Sequence, residues 1–369
     1  MKKVIFALAA VVALAACSQE DVIVADKGAA IGFDTFVENS TRSVYDPSYT
    51  NSSMFSDFAV YGYVNGAVLL DGVRVAKDGD GMKADDYAGQ TNTDWKYEGT
   101  QYWIAGANYN FNAVAPKTNG GWTKVDDGTN KDATKLNFKN NGTTDLLYAY
   151  ATALGANEGN KEVKFNFRHV LSKVKFSFEN AYNATNATIR VENVKIHDAY
   201  ASGSVVLDDE TVWTPVTTGD KLVLDFGKAT DAADTDAKEA VDVAFECGET
   251  YESHKELLMI PGQGASTYTV TNADNTTTTK YENVYMVTFD VVLLVSGQEI
   301  DTYEHTIYTT FAPLAGMRYN LKAVIDATNI DPEHAQEPIE FTVNPLTDWG
   351  NGNTADDATD KDSESTTLK

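Results

Sequence analysis

Two cysteines, five histidines and a large excess of carboxylates are the side chains of this 369-residue chain best suited to catalysis or ligation. His169, His197, His254, His305 and His334 never fall three or four residues apart, so no zinc pair of the His-Glu-x-x-His kind exists. No Gly-x-Ser-x-Gly elbow, Walker loop or dinucleotide fingerprint occurs. The run from Lys77 to Asp86 has the oxygen density of a calcium loop. It lacks the glycine at the sixth position and the closing glutamate, and it carries Met82 where an oxygen is needed, so it reads as a solvated acidic turn. Asp231, Asp234 and Asp236 read as a second acidic loop. A glycosidase pair depends on the separation of two carboxylates in space, and nothing in the sequence singles one out. Cys247 closes the strand-like run 241–247 and reads as a small buried residue, and His169 as a satisfied, partly buried structural one. The expectation is a non-enzyme without metal or cofactor.

The other cysteine has a different setting. Lys2 and Lys3 precede an apolar stretch, 4–16, which is too short to span a bilayer and has the length of a signal-peptide core. It ends Leu14-Ala15-Ala16-Cys17, which resembles the lipobox of bacterial lipoproteins. That resemblance implies cleavage before Cys17, acylation of its thiol and new amino group, and anchoring in the outer membrane through lipid, at ~0.8 kcal/mol per buried CH₂. An ordinary signal peptide followed by an incidental cysteine is the competing reading. Ser18-Gln19-Glu20-Asp21 resembles the surface-export signal of Bacteroidetes lipoproteins. With Cys17 acylated, Cys247 has no partner for an intramolecular disulfide.

These residues must be carried by something, and composition says what. Hydrophobic residues make up 43% of the chain, enough for a packed core. The formal net charge of −25 argues against nucleic acid, whose phosphates need Lys and Arg. Nineteen Tyr, sixteen Phe and only eight Pro lean towards sheet. Alternation with period two runs through 31–38, 58–64, 109–115, 146–151, 163–167, 174–178, 189–191, 221–226, 284–295, 303–311, 318–325 and 339–343, each of which is predicted as a strand. Asp71-Gly72 is predicted as a two-residue hairpin turn between Leu70 and Val73. The stretches 77–94, 117–144 and 271–280 read as long surface loops, and 230–240 as a helix or a loop. The fold class is all-β, with two tandem antiparallel β-sandwich domains. The expected divisions are a signal peptide at 1–16, a lipidated segment with a removable strand at 17–42, sandwiches at 43–170 and 171–349, and a disordered acidic tail at 350–369.

Several segments together resemble the fimbrillin-like (type V pilus) subunits of Bacteroidetes. Asn108-Tyr-Asn-Phe-Asn-Ala-Val-Ala-Pro116, after Tyr102-Trp103, is similar to a strand of that family's N-terminal domain. Asp145-Leu-Leu-Tyr-Ala149 and Phe165-Asn-Phe-Arg-His-Val-Leu-Ser-Lys-Val174 resemble the motifs that close it. Phe311-Ala-Pro-Leu-Ala-Gly-Met-Arg-Tyr-Asn-Leu321 resembles its Gly-x-x-Tyr strand, and Ile339-Glu-Phe-Thr-Val-Asn-Pro-Leu-Thr-Asp-Trp349 its terminal strand. The resemblance implies transthyretin-like sandwiches, export as a lipoprotein to the cell surface, and assembly into a fimbrium with other fimbrial subunits. It further implies that an Arg-specific protease removes an N-terminal strand and that a strand of the next subunit fills the vacated groove.

Arg42, before Ser43, is the only Arg ahead of Arg74 and follows the 31–38 strand, which fits the family's cleavage point; an ordinary exposed loop Arg is the alternative. The removable strand would present Ile31, Phe33 and Val37, with Thr35 among them. The candidate donor presents Ile339, Phe341 and Val343. Three such anchors give a gross ~5–9 kcal/mol of apolar burial before entropy is charged. Both segments could instead pair within their own domain. The acidic tail after Trp349 leaves a stalk, tip or anchor role open, and a host protein or glycan stays open as a partner. The competing function is a surface carbohydrate-binding lipoprotein, with Trp95, Trp103, Trp122 and Trp213 as stacking platforms and Trp122 the most exposed-looking. Metabolic labelling with palmitate is expected to mark the full-length chain and to be lost in Cys17→Ala; label retained by the variant would refute acylation at this residue.

Overall fold

A computed structural model describes residues 29–37, 55–90, 94–126, 128–129, 133–155, 162–207, 211–230, 244–271, 275–330, 339–346 and 364–365. The chain is all-β, as its period-two patterning requires, with one 3-10 turn at Ala84–Tyr87 and one helical turn at Ala327–Ile330 among the described residues. The first strands are β1 (Phe33–Val37), β2 (Asp57–Val64), β3 (Ala67–Lys77), β4 (Trp95–Tyr97), β5 (Asn108–Ala115), β6 (Trp122–Lys124), β7 (Lys135–Lys139), β8 (Leu147–Leu154) and β9 (Val163–His169). Seven of them hydrogen-bond in the order β1-β4-β3-β2-β5-β8-β9, and β1 returns to β9, so the path closes on itself. The enclosed core is aromatic: Phe33, Phe58, Tyr97, Tyr109, Phe111, Phe165 and Phe167 are all wholly buried.

The next strands are β10 (Ser172–Asn180), β11 (Ala187–Tyr200), β12 (Ser202–Leu207), β13 (Thr211–Pro215), β14 (Lys221–Gly227) and β15 (Ala229–Thr230). After them come β16 (Thr250–Ser253), β17 (Leu257–Met259), β18 (Ser266–Thr271), β19 (Thr277–Val295), β20 (Gln298–Thr309), β21 (Arg318–Ile325), β22 (Phe341–Leu346) and β23 (Glu364–Ser365). One sheet runs β15-β16-β10-β21-β22-β23 with β17 beside β10; a second runs β14-β11-β19-β18 with β20 beside β19. Phe176, Phe178 and Leu321 of the first face Ile189, Phe226 and Phe289 of the second across one core, so this half is a sandwich. Two pairings are parallel, β1 with β9 and β10 with β21; every other pairing among the described strands is antiparallel.

The halves share a sheet. β7 and β6 pair with the β12–β13 hairpin in the order β13-β12-β7-β6, from Ser202↔Lys139 to Val206↔Lys135. Leu136, Phe138, Val205 and Leu207 bury their side chains against the outer wall of the barrel, where Tyr61, Tyr63, Val114 and Tyr148 meet them. Leu258 and Ile260 join this third core from the other half. Trp213 donates to the Val170 carbonyl at 2.7 Å and packs edge-on against Phe138.

Several expectations change. The 117–144 stretch is not a surface loop but carries β6 and β7, because Leu136 and Phe138 alternate with polar neighbours and are fully buried. In the 271–280 stretch Thr271 ends β18 and residues 277–280 begin β19, the two strands pairing from Thr271↔Thr277 onwards. Asp71-Gly72 does not turn the chain. The β2–β3 hairpin turns at Asn65-Gly66, with φ of 47° and 81°, the positive pair a type I′ turn needs. Gly72, also at positive φ, lies in the stretch where the register slips by one, between Val60↔Val73 and Gly62↔Leu70, and a Cβ there would meet the Tyr61 hydroxyl at 2.9 Å. Both dipeptides tolerate positive φ, and only the register distinguishes turn from bulge. Cys247 is exposed rather than buried: after Phe245 the chain turns through Gly248, at φ 91°, and leaves the core. Residues 231–243, with Asp231, Asp234 and Asp236, lie outside the described residues.

Where β10, β17 and β21 converge, Glu256 accepts hydrogen bonds from Arg318 and lies 2.7 Å from the Lys173 ammonium. Burial opposes ionisation of this carboxyl, but the Lys173 and Arg318 charges outweigh it and hold its pKa below the ordinary 4.5. A carboxyl depressed on folding contributes stability that is complete above the ordinary value and disappears as pH falls through the depressed one. Glu256→Gln is therefore expected to lower the melting temperature at neutral pH and to flatten its decline below pH 4.5. Parallel thermal scans of both proteins check this, and identical pH profiles would show that the cluster contributes nothing.

Candidate functional site

The strand that closes the barrel is the site. β1 lies parallel to β9 over five residues, Phe33↔Val163 to Val37↔Phe167, and meets β4 antiparallel at Phe33↔Trp95. The residues before it continue along the 101–103 segment: Ile31 N–H donates to Gln101 O at 2.8 Å, and Trp103 N–H to Ala29 O at 3.0 Å. Val163 N–H donates to Gly32 O at 2.8 Å, so both edges of the opening are satisfied by this one short segment.

Its inward side chains alternate as the sequence pattern requires. Ile31 and Phe33 are wholly buried and Thr35 nearly so. The Phe33 ring stacks on Phe165 at 5.6 Å, meets Phe111 edge-on at 5.7 Å and lies tilted 5.3 Å from Tyr97. The Tyr97 hydroxyl donates to Ile31 O and accepts from Gln101 N–H, each at 3.0 Å. Burial pushes its pKa up to about 12, keeping the phenol neutral and able to donate. The groove under β1 is thus a lane of aromatic walls, with one polar anchor at the level of Ile31. Tyr97 belongs to a three-residue strand, too short for period-two reading to isolate, and sequence reasoning missed it.

The other residues singled out by their sequence pattern fall elsewhere. Ile339, Phe341 and Val343 are not beside this groove. They are buried in the C-terminal sandwich, where β22 pairs antiparallel with β21 from Ala323↔Phe341 to Arg318↔Leu346. Phe341 meets Phe176 at 5.4 Å and Phe289 at 6.1 Å. The outer edge of β22 pairs with Glu364–Ser365 of the acidic C-terminal stretch. Ile31-Gly-Phe33-Asp-Thr35 and Ile339-Glu-Phe341-Thr-Val343 carry the same order of anchors, Ile, Phe, then a β-branched residue, and each set is buried where it sits. Cys17, Arg42 and Ser43 lie outside the described residues.

His169, at the end of β9, is buried and its Nδ1 lies 2.5 Å from the Asp145 carboxylate, which joins the two segments Asp145–Ala149 and Phe165–Val174 at one corner. The tryptophans do not form a platform. Trp95 and Trp103 are buried in the barrel, while Trp122 and Trp213 are half-buried with their ring N–H groups spent on the carbonyls of Pro116 and Val170. Among the described residues no group of three or more His, Cys, Asp or Glu is placed to hold a metal ion.

Comparisons agree with this architecture. A family model described as fimbrillin-like matches residues 41–345. Among solved structures, a fimbrial protein from Bacteroides vulgatus superposes with a TM-score of 0.52 at 16% identity, covering 85% of this chain and 98% of that one. The fimbrial anchor protein Mfa2 from Porphyromonas gingivalis gives a TM-score of 0.35 at 12% identity, covering 85% and 97%. The first likeness is one of fold. No curated protein matches.

Phe33→Ala removes the ring that touches three walls of the groove. Truncating a fully buried Phe costs about 3–5 kcal/mol, so the barrel's transition, followed through Trp95 and Trp103 fluorescence, is expected to move by that amount in urea. A shift below about 0.5 kcal/mol, the size expected of a surface position, would show that β1 contributes little to closing the barrel.

Proposed function

This chain belongs to the fimbrillin-like family of fimbrial structural subunits, and on that premise we propose that β1 is a placeholder strand, removed so that a strand of another subunit can take its seat. Membership implies a cell-surface fimbrium and assembly with other fimbrial subunits. The proposal adds that the chain is exported as a lipoprotein anchored in the outer membrane through Cys17, is cut by an Arg-specific protease between Arg42 and Ser43, and then polymerises by donor-strand exchange. It is a structural protein in this reading and performs no catalysis.

The observation that carries it is the position of β1 in a closed path. Loss of any other barrel strand would leave two chain ends to rejoin, whereas β1 is the first strand among the described residues and is followed in the sequence by the Arg42 segment. Its departure opens two sheet edges, β4 and β9, and bares Phe111, Phe165 and Tyr97 together. An exposed apolar lane with two unpaired edges is unstable in water and selects an extended segment with matching anchors. β22 has those anchors in the same order, so Ile339, Phe341 and Val343 of one copy would replace Ile31, Phe33 and Thr35 of another. Donor and groove are different surfaces, so the contact does not close and a filament grows.

Limited trypsin treatment is expected to cut after Arg42 while the core stays folded, and the cut protein should then form chains visible by electron microscopy. Ile339→Asp, Phe341→Asp and Val343→Asp together should abolish chain growth. Cut protein that remains monomeric at high concentration, or a triple variant that assembles normally, defeats the donor-strand reading. N-terminal sequencing of sheared filaments should return a start at Ser43.

A further inference from the structure

From strand direction alone, we infer that the two ends of this chain resist tension in opposite ways: β1 is held in a shear clamp, while β22 is held in a zipper that opens pair by pair. The inference concerns the uncut chain, with β1 in its seat.

The barrel is traversed from the N-terminal end of β1 to the C-terminal end of β9. Because the two strands are parallel, those ends lie at opposite poles, and tension runs along the ladder. Five residue pairs from Phe33↔Val163 to Val37↔Phe167 are then loaded together. β9 passes into β10 through Val170 and Leu171 alone, so tension crosses to the second half with almost no slack. The third core and the shared sheet hold that crossing: Gly316 N–H donates to Leu171 O, and Trp213 to Val170 O.

The sandwich is entered at the N-terminal end of β10. Lys173 there is level with Arg318, and Arg318 is level with Leu346, the last residue of β22. Tension therefore enters and leaves at the same pole, and pulls β22 away from β21 sideways, starting at Arg318↔Leu346 and ending at Ala323↔Phe341. Once β22 has peeled, tension leaves by the far end of β21. The eight-residue parallel ladder of β10 and β21 then becomes a second shear clamp, with Glu256 bonding Lys173 and Arg318 at its entry end. The outermost pairing, Glu364–Ser365 on β22, spans two residues and lies between β22 and the C-terminus, so it parts before the peel begins.

Single-molecule pulling on the full chain tests this, with handles at the two termini and Cys17 and Cys247 replaced by Ser. An early step is expected that lengthens the tether by up to about 70 Å, the extended reach of 326–346 at ~3.4 Å per residue. Later ruptures should need a higher force, since their ladders break all at once rather than pair by pair. Adding Lys322→Cys and Thr342→Cys, which face each other across β21 and β22, should when oxidised shorten the early step to about 14 Å, the reach of residues 343–346 on the loaded side of the staple, and restore its full length on reduction. Moving the C-terminal handle to Asp326→Cys in the cysteine-free chain should erase the step altogether, without a staple. A single rupture, an early step that keeps its length after either change, or a barrel that opens before β22 peels overturns the inference.

Discussion

A β-sheet has two edges, and each edge is a row of hydrogen-bonding groups that must be paired, covered or exposed to water. In the N-terminal half of this protein both edges of a strand path are satisfied by one five-residue strand. Everything else about that half follows from how little chain does so much. Phe33 fills the aromatic lane, Gly32 and Ile31 offer their carbonyls to Val163 and Tyr97, and the Ala29 carbonyl ties the entry to Trp103. A long strand would have spread these duties and been hard to replace. A short one concentrates them, so that a segment with two or three correct anchors can stand in for it.

The seats of β1 and β22 are alike in chemistry and unlike in geometry. Each buries an Ile and a Phe two residues apart, and each Phe meets more than one aromatic ring. Yet β1 lies parallel to its main partner while β22 lies antiparallel to its own. The same side chains therefore give similar burial energies with different responses to load and different routes of departure. Apolar burial, at ~25 cal/mol per Å², does not distinguish the two seats; strand direction does.

Much of this was legible in the residues. Period-two runs such as Val163, Phe165, Phe167 and Val174, Phe176, Phe178 located β9 and β10, and the 318–325 run located β21 to its ends, because a strand buried on one face must alternate. Ile31 and Phe33 read correctly as inward anchors for the same reason. Pairing was not legible. Alternation says which face of a strand is buried and nothing about its neighbour, so the parallel partnership of β1 with β9 and the reach of β12 across to β7 had no local signature. The Lys135–Lys139 run, with Leu136 and Phe138 alternating, was in view but short, and its polar surroundings hid it. Asn65-Gly66 and Asp71-Gly72 illustrate the same limit, since two equivalent turn dipeptides were separated only by the register that their strands adopt.

The shared sheet also sets the order in which this protein can be completed. A chain made from its N-terminus has every barrel strand available by His169. Leu136 and Phe138 nevertheless have no strand of the second half beside β7 until Ser202–Leu207 has emerged, and Leu258 and Ile260 reach the same core later still. The first half waits, with an apolar flank uncovered, for more than thirty residues of the second, and a chain stopped at the end of the barrel would hold a folded centre and an adhesive side. The two halves that look like consecutive beads are joined through this core, and the earlier one is completed only after part of the later one has been made.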